Sequence, residues 1–119
     1  MITNQTKIML VDDEPDVGYY LKRYLSLRRF QVTIADSAEQ ALQLLEKEPA
    51  DIVLLDLVMK GMHGLAAARI IKEKYPQTKI FVVTAHAYDA GRVEQEIPID
   101  GLYIKPVGVQ DLLNKLTAL

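Results

Sequence analysis

The chain has 119 residues, half of them apolar and a quarter charged, with a formal net charge of −2. That length suits one domain with a proper core and is too short for two, and the acidic balance argues against a nucleic-acid-binding surface, which usually carries a strong basic excess. There is no cysteine, which excludes disulfides and thiolate metal sites; the start from Met1 to Lys7 is polar and no run reaches membrane-spanning length, so no membrane partner and a cytoplasmic location are expected.

Lys7 to Val11 is a short apolar run stopped by Asp12, Asp13 and Glu14, and reads as a strand. Pro15 fits the first turn of a helix, where its missing N–H costs nothing. Val17, Tyr20, Leu21, Tyr24 and Leu25 then recur at helical spacing up to about Arg29. Gln31 to Ala35 is a second strand. Ser37 stands where it can cap a helix, with Gln40 completing a capping box and Ala38, Ala41, Leu42 and Leu45 forming an apolar stripe before Pro49. Ile52 to Leu55 is too short for a typical helix and opens on two β-branched residues, so it reads as a strand buried on both faces and ended by Asp56.

The loop Lys60 to Gly64 leads into a helix from about Leu65 to Tyr75, with Ala68, Ile71 and Ile70 inward or partly so and Pro76 as its stop. Lys79 to Val83 is a fourth strand, closed by Thr84. Ala87 to Ile97 is the weakest helix, holding Gly91 and few large apolar residues before Pro98, and is expected to be short or mobile. Gly101 to Ile104 makes a fifth strand ending at Lys105-Pro106, and Val109, Leu112, Leu113 and Leu116 stripe a last helix. Residues 1–119 show no linker, internal repeat or low-complexity segment.

Five strands alternating with five helices mean βαβ units, hence an α/β fold with a doubly wound, five-stranded parallel sheet and helices on both faces. In open α/β sheets ligands bind beyond the carboxyl ends of the strands, where the strand order reverses. The residues that break the apolar runs fall at that end: Asp12 and Asp13 after the first strand, Asp56 after the third, Thr84 after the fourth and Lys105 after the fifth. If the order is 2-1-3-4-5, these side chains converge on one patch.

Three carboxylates crowded together repel and need a cation or protonation to be tolerated. Oxygen ligands alone suit a hard ion such as Mg²⁺, which takes one or two carboxylates and keeps several waters. Lys105 is a point charge suited to phosphate and Thr84 a hydroxyl donor, so the set matches phosphoryl transfer onto an aspartate. Taken singly, each residue has a plainer role. Acids at Asp12 to Glu14 favour a helix N-terminus through its dipole, Thr84 can close a strand, and Lys105 can be a solvated lysine; His63 and His86 read as surface residues. The weight lies in the joint pattern at four strand ends.

Val11-Asp12-Asp13-Glu14, Asp56-Leu57-Val58-Met59 with Gly61-Met62 and Gly64, Val83-Thr84-Ala85, and Lys105-Pro106 stand in the order and spacing of a known family. The chain resembles the receiver domain of two-component response regulators over essentially its whole length. The resemblance implies a flavodoxin-like sheet of order 2-1-3-4-5 in a single receiver domain spanning 1–119. It implies that Asp56 accepts a phosphoryl group from a phosphohistidine on a sensor histidine kinase or histidine phosphotransfer protein. Asp12, Asp13, Asp56 and the carbonyl of Val58 would hold Mg²⁺, Thr84 and Lys105 would bind the phosphoryl oxygens, and the Lys105-Pro106 bond would be cis. The domain would be a signalling phosphoacceptor with its own phosphotransfer and dephosphorylation chemistry, not an enzyme in the usual sense. Its switch would act on an output domain or partner protein, with a homodimer formed on phosphorylation among the outcomes, and without direct nucleic-acid contact.

The chain departs from the family at Leu102, where an aromatic is usual, at Lys60, often proline, and at His63, often aspartate. Tyr103 should face the opposite side of the strand from Leu102. His86 and Val58, two residues beyond Thr84 and Asp56, are expected to tune the phosphorylated lifetime. An alternative function is a receiver-like protein-binding module that works without phosphorylation. A nucleotide binder on the same fold would need a Gly-rich phosphate cradle after the first strand, and no such motif occurs.

Overall fold

Strands that are apolar on both sides need cover on both sides, and this requirement arranges the molecule. The computed structural model describes residues 6–13, 22–27, 30–56, 64–84 and 99–104, with only the backbone at Leu65, Thr84, Tyr103 and Ile104. Strands β1 (Lys7–Val11), β2 (Gln31–Ala35), β3 (Ile52–Asp56), β4 (Lys79–Thr84) and β5 (Gly101–Ile104) form one sheet in the order β2-β1-β3-β4-β5, with every neighbouring pair parallel. This is the expected order. Helices α1 (22–27), α2 (Ala38–Lys47) and α3 (Gly64–Lys74) are the helical segments among the described residues. The helix start at Pro15 and the expected helices over Ala87 to Ile97 and around Val109 to Leu116 lie outside them.

Side chains alternate along each strand, so the sheet divides the core into two layers. Met9, Val11, Val53, Leu55, Ile80 and Val82 point to one side, where Ala41 and Leu45 of α2 and Ala68 and Ile71 of α3 cover them. Ile8, Leu10, Ile52, Leu54 and Phe81 point to the other, beneath Leu25 of α1. Helices therefore lie on both faces. Each such side chain contributes about 1.5–3 kcal/mol when fully buried. Edge strand β2 shows the contrasting pattern: Gln31 and Thr33 are exposed while Val32 and Ile34 are half-buried. Leu102 of β5 pairs with Val82 and packs on the first layer, and Tyr103 takes the next register position, opposite Val83.

Helix α2 starts as its sequence suggests, with one difference. Ser37 is the N-cap and its Oγ accepts the Gln40 N–H at 3.1 Å. The Gln40 side chain, expected to return to Ser37, instead accepts the Asp36 N–H at 2.7 Å. Helix α3 ends one residue before Tyr75, and Pro76 follows in the turn that leads to β4.

The residues just before β3, β4 and β5 are polar, and each binds its neighbour. Asp51 donates its N–H to the Lys7 carbonyl at 2.9 Å and accepts the Lys7 N–H on Oδ2 at 2.8 Å. Asp100 repeats this on Ile80, with both bonds at 2.8 Å, and also holds Lys72 Nζ at 3.1 Å. Thr78 Oγ1 donates to the Ala50 carbonyl at 2.8 Å, and Lys72 Nζ donates to the Thr78 carbonyl at 2.9 Å.

Candidate functional site

At the other end of the sheet the register decides which side chains meet. Val11 pairs with Leu55, so the next residues on the two strands, Asp12 and Asp56, stand level. Asp12 follows β1 with its N–H bonded to the Ala35 carbonyl of β2 at 3.1 Å, and Asp13 comes next. Asp56 is the last residue of β3. It is 6% exposed, while Asp12 and Asp13 are half-buried. One carboxylate oxygen from each of the three lies within 4.8 Å of the others.

Three carboxylates this close repel one another unless positive charge stands among them. Their donor chemistry suits a hard cation. Oxygen ligands about 2.1 Å from Mg²⁺ stand up to about 4.2 Å apart across the ion. The three carboxylate oxygens, all within 4.8 Å of one another, stand close to that spacing.

Thr84 ends β4 with its backbone opposite Ile104, one step beyond Val83, which pairs with Asp56. The backbone thus carries Thr84 to the same end as the three acids, on the strand next to Asp56. Lys105 follows Ile104 in the chain, and it, Val58, His63, His86 and the Lys105-Pro106 bond lie outside the described residues. The structure thus brings the three acids within 4.8 Å of one another and places Thr84 by its backbone.

Asp51, Thr78 and Asp100 receive no role from sequence reasoning. A signal is nonetheless present: each immediately precedes an apolar strand run and can hydrogen-bond through its side chain.

The sequence profile of the response regulator receiver domain matches residues 8–117. The chain belongs to this family. It is 33% identical over 118 residues to the transcriptional regulatory protein ResD of Bacillus subtilis, covering 98% of this chain and 49% of that protein. It is 32% identical over 111 residues to the receiver protein CpdR of Brucella abortus, covering 92% of each. The chain thus spans about half the length of ResD and nearly all of CpdR. Among solved structures it is similar to a CheY-like receiver domain protein from Methanospirillum hungatei, with a TM-score of 0.90, 26% identity and coverage of 96% of this chain and 92% of that one. It is also similar to the response regulator TrrA of Thermotoga maritima, solved in complex with Mg²⁺-BeF, with a TM-score of 0.87, 28% identity and coverage of 96% and 98%. Receiver domains of this family are phosphorylation-dependent signalling domains that work with sensor histidine kinases and output domains. Among the described residues no helix is long and apolar enough to cross a membrane.

Proposed function

We propose that residues 1–119 act as one receiver domain in which Asp56 accepts a phosphoryl group from a phosphohistidine on a sensor histidine kinase or histidine phosphotransfer protein. The observation that carries this reading is the meeting of Asp12, Asp13 and buried Asp56 within 4.8 Å at the carboxyl ends of two adjacent central strands. An Asp56 oxygen attacks phosphorus in line; the new O–P bond forms as the P–N bond breaks, and the imidazole nitrogen leaves with the electron pair. Asp12, Asp13, Asp56 and the Val58 carbonyl would hold Mg²⁺. That ion, when bound, supplies charge neutralisation to the phosphoryl oxygens. TrrA, solved with Mg²⁺-BeF, supports this assignment by similarity. Thr84 and Lys105 would bind the remaining phosphoryl oxygens.

The product is a switch: new charge at Asp56 biases the segments around it toward a second arrangement, which an output domain, a partner protein or a second copy of the chain reads. The test is intact mass after incubation with Mg²⁺ and acetyl phosphate. The wild-type protein should gain one phosphoryl group, and the gain should vanish with chelator or in Asp56→Asn. Absence of any gain in a wild-type protein that binds Mg²⁺ would overturn the acceptor assignment.

A further inference from the structure

Register along a parallel sheet decides which side chains meet at its carboxyl ends. A slip of one residue turns apolar side chains out of the core and is resisted strongly. A slip of two residues keeps every side chain on its own face, so alternation does not resist it, and what resists it is the loss of core contacts at the strand ends. Such a slip would carry Asp56 about 7 Å along the strand from Asp12. Specific polar pairs can add to core packing in excluding it.

The polar residues before the strands are placed to do so. Extending the register of β1 and β3 back by one residue sets Lys7 opposite Asp51, and five residues further along each strand Asp12 is level with Asp56. Extending that of β4 and β5 sets Ile80 opposite Asp100, and four residues further Thr84 pairs with Ile104. Asp51 and Asp100 use the same two-point clamp: the residue's own N–H goes to the carbonyl opposite, and its Oδ2 accepts the N–H of that same residue. Thr78 ties the pair between them, β3 and β4, through Ala50. The residue before β2 is Phe30, which has no polar side-chain atom to offer, and β2 brings no residue to the proposed site.

We propose that Asp51 and Asp100 are positioning residues for the site at the far end of the sheet. The Asp51 clamp sets Asp12 against Asp56 and so governs Mg²⁺ binding. The Asp100 clamp sets Thr84 against β5, which leads into Lys105, and so governs phosphoryl transfer. The proposal rests on reading the acid cluster as the Mg²⁺ and phosphoryl site.

Two quantities separate positioning from bulk stability: Mg²⁺ affinity by calorimetry, and the rate of mass gain with acetyl phosphate at saturating Mg²⁺. Asp51→Ala should weaken Mg²⁺ binding about tenfold, as a small misplacement of Asp12 against Asp56 would, and Asp51→Asn should stay within about twofold because its amide oxygen still accepts the Lys7 N–H. Asp100→Ala should show the opposite split, with Mg²⁺ affinity kept and the rate down about tenfold, as expected for a small misplacement of reacting groups. Leu42→Ala, which trims a half-buried residue of α2, serves as a stability control and should move neither quantity.

A folded Asp51→Ala that binds Mg²⁺ like wild type overturns the proposal. So do variants at Asp51 and Asp100 that move both quantities together, in step with lost stability. If Asp51→Ala does not fold, the Asp100→Ala arm decides, and an unchanged rate there overturns it. Failure of the wild-type protein to bind Mg²⁺ or gain mass needs no variant to detect, and overturns the functional reading itself.

Discussion

At the carboxyl end of the sheet, Asp12, Asp13 and Asp56 bring like charges within 4.8 Å. At the amino end, Asp51 and Asp100 each accept a backbone N–H at 2.8 Å, and Asp100 also holds Lys72 at 3.1 Å. Both ends are rich in aspartate. What differs is spacing: at one end the acids stand apart on separate strand pairs, and at the other they crowd together. At the amino end each acid fastens a neighbouring strand. The carboxyl end collects acids from two strands into one place, an arrangement whose repulsion a bound cation relieves.

The largest effect that sharpens this contrast comes from Mg²⁺ itself. Added at about a hundred times its dissociation constant, it should stabilise the wild-type protein by about 2.7 kcal/mol. Asp13→Asn should lose most of that gain. In chelator the same variant should be more stable than wild type, by about 1 kcal/mol, since one of three crowded charges is gone. Urea unfolding with and without Mg²⁺ measures both. A variant less stable than wild type in chelator would show that Asp13 fastens the fold as the amino-end acids do.

The sequence disclosed the carboxyl end far better than the amino end, for a physical reason. A strand buried on both faces must be a continuous apolar run, so any acid that ends one is conspicuous. Asp12, Asp13 and Asp56 stand out in the sequence itself, and the bounds of β1, β2 and β5 coincide with those read from periodicity. Strands β3 and β4 each extend one residue further, to include Asp56 and Thr84. Asp51, Thr78 and Asp100 precede their runs, where a polar residue is unremarkable. Their roles depend on which strand lies opposite and in what register, and on Lys72 arriving from a helix. Those are properties of the assembled sheet. The roles assigned to Val58 and His86 rest on the family resemblance, and that of Lys105 also on its place after the fifth apolar run.

Lys72 offers the next test. Its side chain is 16% exposed and that of Asp100 is 23% exposed, so their pairing is partly shielded from water. Lys72→Met keeps the apolar stem but leaves Asp100 and the Thr78 carbonyl without the ammonium, which should cost about 2 kcal/mol in urea unfolding. Because the Ile80 N–H still reaches Asp100, the register should hold, and the phosphorylation rate should stay near that of wild type. A loss of rate without a loss of stability would assign Lys72 itself a part in positioning.

The smallest effect tests whether every polar group at the carboxyl end belongs to the site. Helix α2 begins at that end, after edge strand β2, and its polar groups are closed on one another: Ser37, with φ −154° and ψ 163°, accepts the Gln40 N–H, and Gln40 accepts that of Asp36. This is local capping of helix donors that have no partner within the helix. Ser37→Ala should cost about 1 kcal/mol, and Ser37→Asp should recover it, since aspartate caps as well and its charge suits the helix N-terminus. Neither change should alter Mg²⁺ affinity, because β2 lies on the far side of β1 from Asp56. If Ser37→Ala weakened Mg²⁺ binding, the Asp12 N–H bond to Ala35, two residues before Ser37, would be the connection to examine. The site would then extend across β1 to the edge strand.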